Sequence, residues 1–326
     1  MAQPSNLFDR YDGTKAVRED LANIINNISP EDTPFMSSVG RENVSNTYFE
    51  WQTDSLAAVD TANAVIEGDD AALDSRAATS RVGNYSQISR KVIGVSGTIE
   101  AVDKAGVKSY LSYELAKASS EIKRDMEAML LANQVAVVGN STTARRTAGL
   151  PAWLRTNTSK GVSGADPTLS ATTDGYPNAA RTDGTQRAFT ETMLGDAIQQ
   201  VWAQGGDPKI AMMGPVNKRR ASGFAGIAAN RMNQSSGAAK AYSIVSTADV
   251  YLSDFGKVSF VPNRFQRERD VFVLDPQYAA VAFLRNFKTE DLAKSGDSIK
   301  KMILCEYGLK VKTERSHAIV ADLTTT

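Results

Sequence analysis

Cysteine and histidine are almost missing from this chain: Cys305 and His317 are the only ones in 326 residues. A lone cysteine excludes an intrachain disulfide framework and suits a reducing compartment, and one of each cannot supply the usual His/Cys metal cluster. A prevailing charge is missing too. Lys+Arg and Asp+Glu both number 37, giving a formal net charge of zero, so no global basic field draws nucleic acid, and neutrality favours self-association. No apolar run approaches a membrane-spanning length and no charged-then-apolar N-terminal signal is present, so neither membrane insertion nor secretion is indicated. The glycine-rich nucleotide loops, HExxH and EF-hand patterns are absent. Gly94-Val95-Ser96-Gly97 places its second glycine one residue too early for a nucleophile elbow and reads as a strand-end turn. A glycosidase needs only two carboxylates, but nothing in the sequence selects a pair.

What is present is globular. Hydrophobic residues make up 42% of the chain, enough length and apolar content for one large domain or two ordinary ones. The longest helical pattern runs from Gly106 to Asn133, with Leu111, Leu115, Ala118, Ile122, Met126 and Met129 drawing one apolar stripe along roughly 40 Å of helix. Lys117 with Glu121 and Lys123 with Glu127 stand i,i+4 on what reads as the solvent face. Such a helix suits an elongated scaffold better than a compact pocket enzyme.

Ahead of this spine, residues 1–13 read as a polar arm, and Val17, Leu21, Ile24, Ile25 and Ile28 as the apolar face of a short helix stopped at Ser29-Pro30. Residues 31–41 read as an extended loop exposing Phe35 and Met36. Thr47–Thr53 has the aromatic content of a strand, matched by a strand region at Gln87–Val102. The stretch between them reads as a long projecting hairpin with split charge. Glu50, Asp54, Asp60, Glu67, Asp69, Asp70 and Asp74 come first, then Arg76, Arg81, Arg90 and Lys91. Either the two arms neutralise each other in weak exposed pairs, or the loop meets opposite charge on a neighbouring copy.

After the spine, Leu150, Pro151, Trp153 and Leu154 return to the core, and residues 155–188 read as a surface insertion without period. A second helix starts after Thr190, with Leu194, Ile198, Val201 and Trp202 on one face and Gly205-Gly206 at its end. Lys209–Met213 reads as a buried strand, Val216–Phe224 as a helix and 225–241 as loop. Strands are expected at 249–252, 257–261, 271–274, 281–284, 301–306, 309–314 and 318–321, making the chain α+β. Two basic clusters, Lys218-Arg219-Arg220 and Arg264, Arg267 and Arg269, fit phosphate neutralisation less well than subunit contacts or a solvated loop, given the neutral chain and the interleaved Glu268.

SPEDTPFMSSVGR (29–41), EWQTDSLA (50–57), EIKRDMEAMLLANQ (121–134), RRTAGLPAWL (145–154), QQVWAQGGDP (199–208), NRFQRERDVFVLDPQYAAVAFLR (263–285) and LAKSGDSIKKMILCEYGLKV (292–311) together resemble the major capsid protein of tailed bacteriophages with the HK97-type fold. The resemblance implies an N-arm at 1–42, an extended E-loop at 43–101 and a P-domain with the spine helix at 102–154. An insertion at 155–188, an A-domain at 189–285 and closing P-domain strands at 286–326 follow. It implies no catalytic residue, cofactor, metal or membrane contact. It also implies hexamers and pentamers closing an icosahedral head around double-stranded DNA in the virion, assembled in the host cytoplasm. The partners would be a separate scaffolding protein, since nothing before the arm is long enough to be a fused one, a portal and decoration proteins. Expected intersubunit contacts are Glu67, Asp69, Asp70, Asp74, Arg76, Arg81, Phe35, Met36, Arg264, Arg267 and Arg269. An encapsulin-like shell, a carboxylate-dependent hydrolase and a nucleic-acid-binding module are the competing readings.

Overall fold

The computed structural model describes residues 32–70, 73–74, 78–103, 106–171, 174–224 and 250–326. The expected arm at 1–13, the helix expected over Val17–Ile28, Arg76 and the loop at 225–241 lie outside the described residues. The architecture is α+β, as read. In chain order the first elements are α1 (Pro34–Ser38), β1 (Gly40–Asn43), β2 (Tyr48–Thr53), β3 (Ser80–Tyr85), β4 (Gln87–Ser96), α2 (Gly97–Ala101) and α3 (Tyr110–Leu130). Then come β5 (Thr158–Ser159), β6 (Thr168–Leu169), β7 (Pro177–Ala179), α4 (Glu191–Ala203), β8 (Ile210–Met213) and α5 (Pro215–Ala221). The last are β9 (Val250–Ser253), β10 (Gly256–Pro262), β11 (Val271–Leu274), β12 (Ala279–Asp291), β13 (Ser298–Val311) and β14 (Ala318–Val320).

The spine is α3, with its 21 residues spanning about 31 Å. Ser109 starts it, its hydroxyl accepting the Ser112 amide. Its Ala118, Ile122, Met126 and Leu130 share one core with Ile303, Cys305 and Tyr307 of β13, and full burial of each large side chain contributes about 1.5–3 kcal/mol. The sheet behind it has the order β1-β12-β13-β4, with β13 antiparallel to both neighbours and β1 parallel to β12.

A second core lies under a six-stranded sheet of order β5-β14-β11-β8-β10-β9. Leu194, Ala197, Ile198 and Val201 of α4 meet Met213, Val273 and Val320 there. The hydroxyl of Thr190 caps α4 by accepting the Met193 amide, and Gly205 follows at φ +88°, a left-handed residue suited to a helix end.

Four expectations need correction. β2 pairs with β3, Tyr48 opposite Tyr85 through Thr53 opposite Ser80, whereas β4 pairs along its whole length with β13; the strand region at 87–102 ends at Ser96 and continues as α2. The two strands expected at 301–306 and 309–314 are one, because Gly308 continues β13 and leaves space for the Phe49 ring, which an added Cβ would meet at 2.7 Å. Residues 155–188 are built into the molecule: β5 joins the six-stranded sheet, and Asn157 and Arg181 are buried. Trp202 is 55% exposed and rests on Phe255 instead of joining the core face of α4.

Candidate interaction surfaces

The projecting hairpin is anchored by aromatic side chains. Trp51 lies 5.3 Å from Trp153, Tyr48 lies 4.6 Å from Tyr85, and the Lys310 ammonium sits over Trp51. Past Thr53 the aromatics stop, and the described residues from Asp54 to Thr79 are all exposed. Leu56, Val59, Val65, Ile66 and Leu73 stand 79–102% exposed. Isolated apolar side chains on a surface need no explanation, but five on one excursion with none of the described residues over them mark a surface to be covered.

Glu67, Asp69, Asp70 and Asp74 are exposed on the same excursion. Gly68 turns the chain at φ +86°, and the Asp69 amide donates back to the Ile66 carbonyl at 3.1 Å. Among the described residues the basic half does not face these acids. Lys91 reaches back to the spine, 2.9 Å from Asp125 and 3.7 Å from Glu121, and Arg81 is exposed with its amide on Asp174. Among the described residues the two arms do not neutralise each other.

Phe35 and Met36 are not exposed, contrary to expectation; both are buried. Pro34 opens α1, and the amides that follow it have no partner within so short a helix. Glu127 supplies one: Phe35 and Met36 donate to its two carboxylate oxygens at 2.7 and 2.9 Å, and Asn263 Nδ2 donates at 2.7 Å. Glu127 is fully buried, so the expected surface pair with Lys123 does not form. Burial pushes its carboxyl up, against the three hydrogen bonds that favour the ionised form. No helical period reveals this acceptor, whose partner lies 92 positions away.

The basic cluster divides. Arg267 grips Asp183 with two hydrogen bonds of 2.7 Å and lies 3.5 Å from Asp270. Arg269 donates to the Gly184 carbonyl and to Asp322. Burial pushes the Asp183 carboxyl up, but Arg267 and Arg269 beside it outweigh this and hold it below the usual range; Asp270, deeper still, is pushed up to about 6. Asp322, at φ 61°, accepts the amides of Gly161 and Gly184. Arg267 and Arg269 therefore staple the 155–188 segment to the rest of the chain. Arg264 is different. It is exposed at the lip of a cavity of about 460 Å³, together with Lys218, Arg219, Pro34 and Asp32; Lys218 also lies over the Phe260 ring at 5.4 Å. The structure thus joins the two basic clusters of the sequence through Lys218, Arg219 and Arg264.

The remaining reactive types are structural. Ser96 caps α2 by accepting the Ile99 amide. His317 is buried, its Nδ1 accepting the Asp275 amide, and burial lowers it to about 4. Cys305 lies 3.6 Å from the Met126 sulfur, and burial pushes its thiol up to about 12. Among the described residues no group of three His, Cys, Asp or Glu could hold a metal ion, and no helix is long and apolar enough to cross a membrane.

Comparison with known proteins gives a consistent result. Residues 5–324 match the family described as SU10 major capsid protein. A major capsid protein of Escherichia phage Phieco32 is 32% identical over 343 aligned residues, covering 95% of each chain. The fold matches a solved chain of Gordonia phage Cozz at TM-score 0.62 and 10% identity, over 99% of this chain and 98% of that one. For Mycobacterium phage Bobi the values are 0.58 and 14%, over 96% and 98%. An encapsulin complex from Synechococcus elongatus matches at 0.54 and 13%, over 98% and 97%. These structural likenesses carry the fold alone.

Proposed function

Because this chain belongs to the SU10 major capsid protein family and has an HK97-like fold, we propose that its projecting hairpin clamps neighbouring copies into a closed head. The subunit is a major capsid protein of a tailed phage and a component of the virion. Hexamers and pentamers around double-stranded DNA, built in the host cytoplasm with a scaffolding protein, a portal and decoration proteins, are our reading of how it is used. So are the assignments of arm, E-loop, P-domain and A-domain, with the projecting part of the E-loop narrowed to residues 48–85. The role is structural and calls for no catalytic residue, cofactor or metal.

One observation carries the clamp: Leu56, Val59, Val65, Ile66 and Leu73 stand in solvent beyond a ladder anchored by Trp51 and Tyr48. A rigid base with an uncovered apolar end fits a limb that lies on something else. In a closed shell each weak contact repeats around every symmetry axis, so modest individual affinities act together. DNA would be enclosed without being read, through salt-sensitive contacts with phosphates.

The test is sedimentation of the full chain, expressed alone and with a scaffolding protein, followed by electron microscopy of the fastest fraction. Shells, hexamers or pentamers are expected. A small monodisperse species in both preparations would overturn the assembly reading. An encapsulin-like compartment shares the fold, and packaged protein in place of DNA would identify it; the 32% identity to a phage capsid protein favours the phage head.

A further inference from the structure

The cavity that joins the two basic clusters has a chemical character of its own. Lys218 and Arg219 reach it from α5, and Arg264 from the turn after β10. Pro34, Pro215 and Pro262 give it apolar walls, and Asp32 is the one acid among the described residues of its lining. Among the described residues Lys218, Arg219 and Arg264 make the lining of this concavity of about 460 Å³ predominantly basic. Arg267 and Arg269, beside it in sequence, are occupied inside the chain, whereas Arg219 and Arg264 are exposed.

The same chain carries the complementary shape elsewhere. At the hairpin tip Val65 and Ile66 precede a turn that presents Glu67, Asp69 and Asp70, all exposed. Two apolar side chains beside three carboxylates match proline walls beside three cations. A duplex would need a ladder of cations along an open face to follow its phosphates; here the three cations line one concavity of about 460 Å³. Arginine forks suit carboxylates at such contacts.

We propose that this cavity receives the acidic hairpin tip of a second copy, with Lys218, Arg219 and Arg264 facing Glu67, Asp69 and Asp70. The assignment rests on the clamp reading and names its receiving surface. The contact places the tip beside Pro34, at the foot of the segment that Glu127 holds through Phe35 and Met36.

Charge exchange in the full-length chain tests it. D69K/D70K and R219E/R264E are each expected to reduce sedimenting shells by about tenfold through the repeated contact, with unfolding of the unassembled subunit unchanged. The fourfold variant, with the charges exchanged, should recover most of the yield. If both reversals deplete shells and the combination does not recover, the clamp stands but this cavity is not its receiver. If D69K/D70K assembles normally, the clamp reading falls as well. If R219E/R264E assembles normally and packages less DNA, the cavity faces phosphate, which overturns the proposal. Should a reversed chain fail to fold, D69N/D70N and R219Q/R264Q replace it. Their combined loss should then be no greater than either alone, and additive losses would overturn the proposal.

Discussion

Glu127 of the spine accepts the Phe35 amide at 2.7 Å across 92 positions of sequence, and this contact fixes the short helix α1 to the core. Removing the carboxylate in E127A leaves two backbone amides and the Asn263 amide group without their acceptor. The expected cost is about 3 kcal/mol, at the scale of several buried unsatisfied donors. Denaturant unfolding of the unassembled subunit measures it, and a loss below 1 kcal/mol, on the order of an ordinary surface change, would mean that water or a shifted backbone takes over the acceptor's place.

The same residue has a pH signature. Its folded-state pKa is raised above the usual carboxylate value, so the folded chain binds the proton first. Its contribution to stability is fully present below the unfolded pKa and is lost as pH rises through the folded one. The difference in unfolding free energy between the natural chain and E127Q should therefore move in favour of the natural chain as pH falls from neutral toward 4.5, and no dependence over that window would contradict the buried carboxylate.

His317 works in the opposite direction. Burial lowers it from 6.5 to about 4, so the unfolded chain takes up a proton that the folded chain refuses, and its contribution is lost as pH falls from 6.5 to about 4. H317N should flatten that part of the stability profile, read by thermal unfolding across the window. A profile unchanged from the natural chain would place the acid sensitivity on other groups.

Gly149 sits against the end of the spine. A Cβ there would lie 2.0 Å from the Ala132 carbonyl oxygen, a backbone atom that cannot swing away. G149A should cost about 3 kcal/mol or yield insoluble protein, compared by soluble fraction and melting temperature with G195A on α4, where the added carbon meets nothing within 4 Å. Equal behaviour of the two would show that the chain near Ala132 yields easily.

Replacing Leu56, Val59 and Ile66 together by Ser removes apolar surface that the isolated subunit leaves in water. Subunit stability should change by less than about 0.5 kcal/mol, while the yield of shells falls. Lost subunit stability would mean that these side chains pack within their own chain.

What could be read from sequence was local. The stripe of α3 and the caps of α4 follow from period and end residues, and most of the strands after residue 248 follow from short apolar runs. Misreadings arose where distant residues decide. Phe35 and Met36 look exposed until Glu127 is set beside them, and Gly308 looks like a break until the Phe49 ring fills its place. β4 looks like the partner of β2 because both have strand character, yet β13, some two hundred positions on, takes it through ten residue pairs. For the candidate surfaces, the acids of the hairpin were legible as charge, and the cluster at 264–269 was legible as basic. Which arginines remained open was not, because that depends on Asp183 and Asp322 folding back over them.

The place of β14 in the six-stranded sheet, between β5 and β11, has a consequence for synthesis. A chain made from its N-terminus cannot complete that sheet until Val320 has left the ribosome, and Asp322 must follow before the amides of Gly161 and Gly184 find their acceptor. Neither the spine, whose apolar face waits for β13, nor the layer built around α4 can be covered until this last part of the described chain is made. The layer around α4 takes its finished shape only once Val320 and Asp322 are in place.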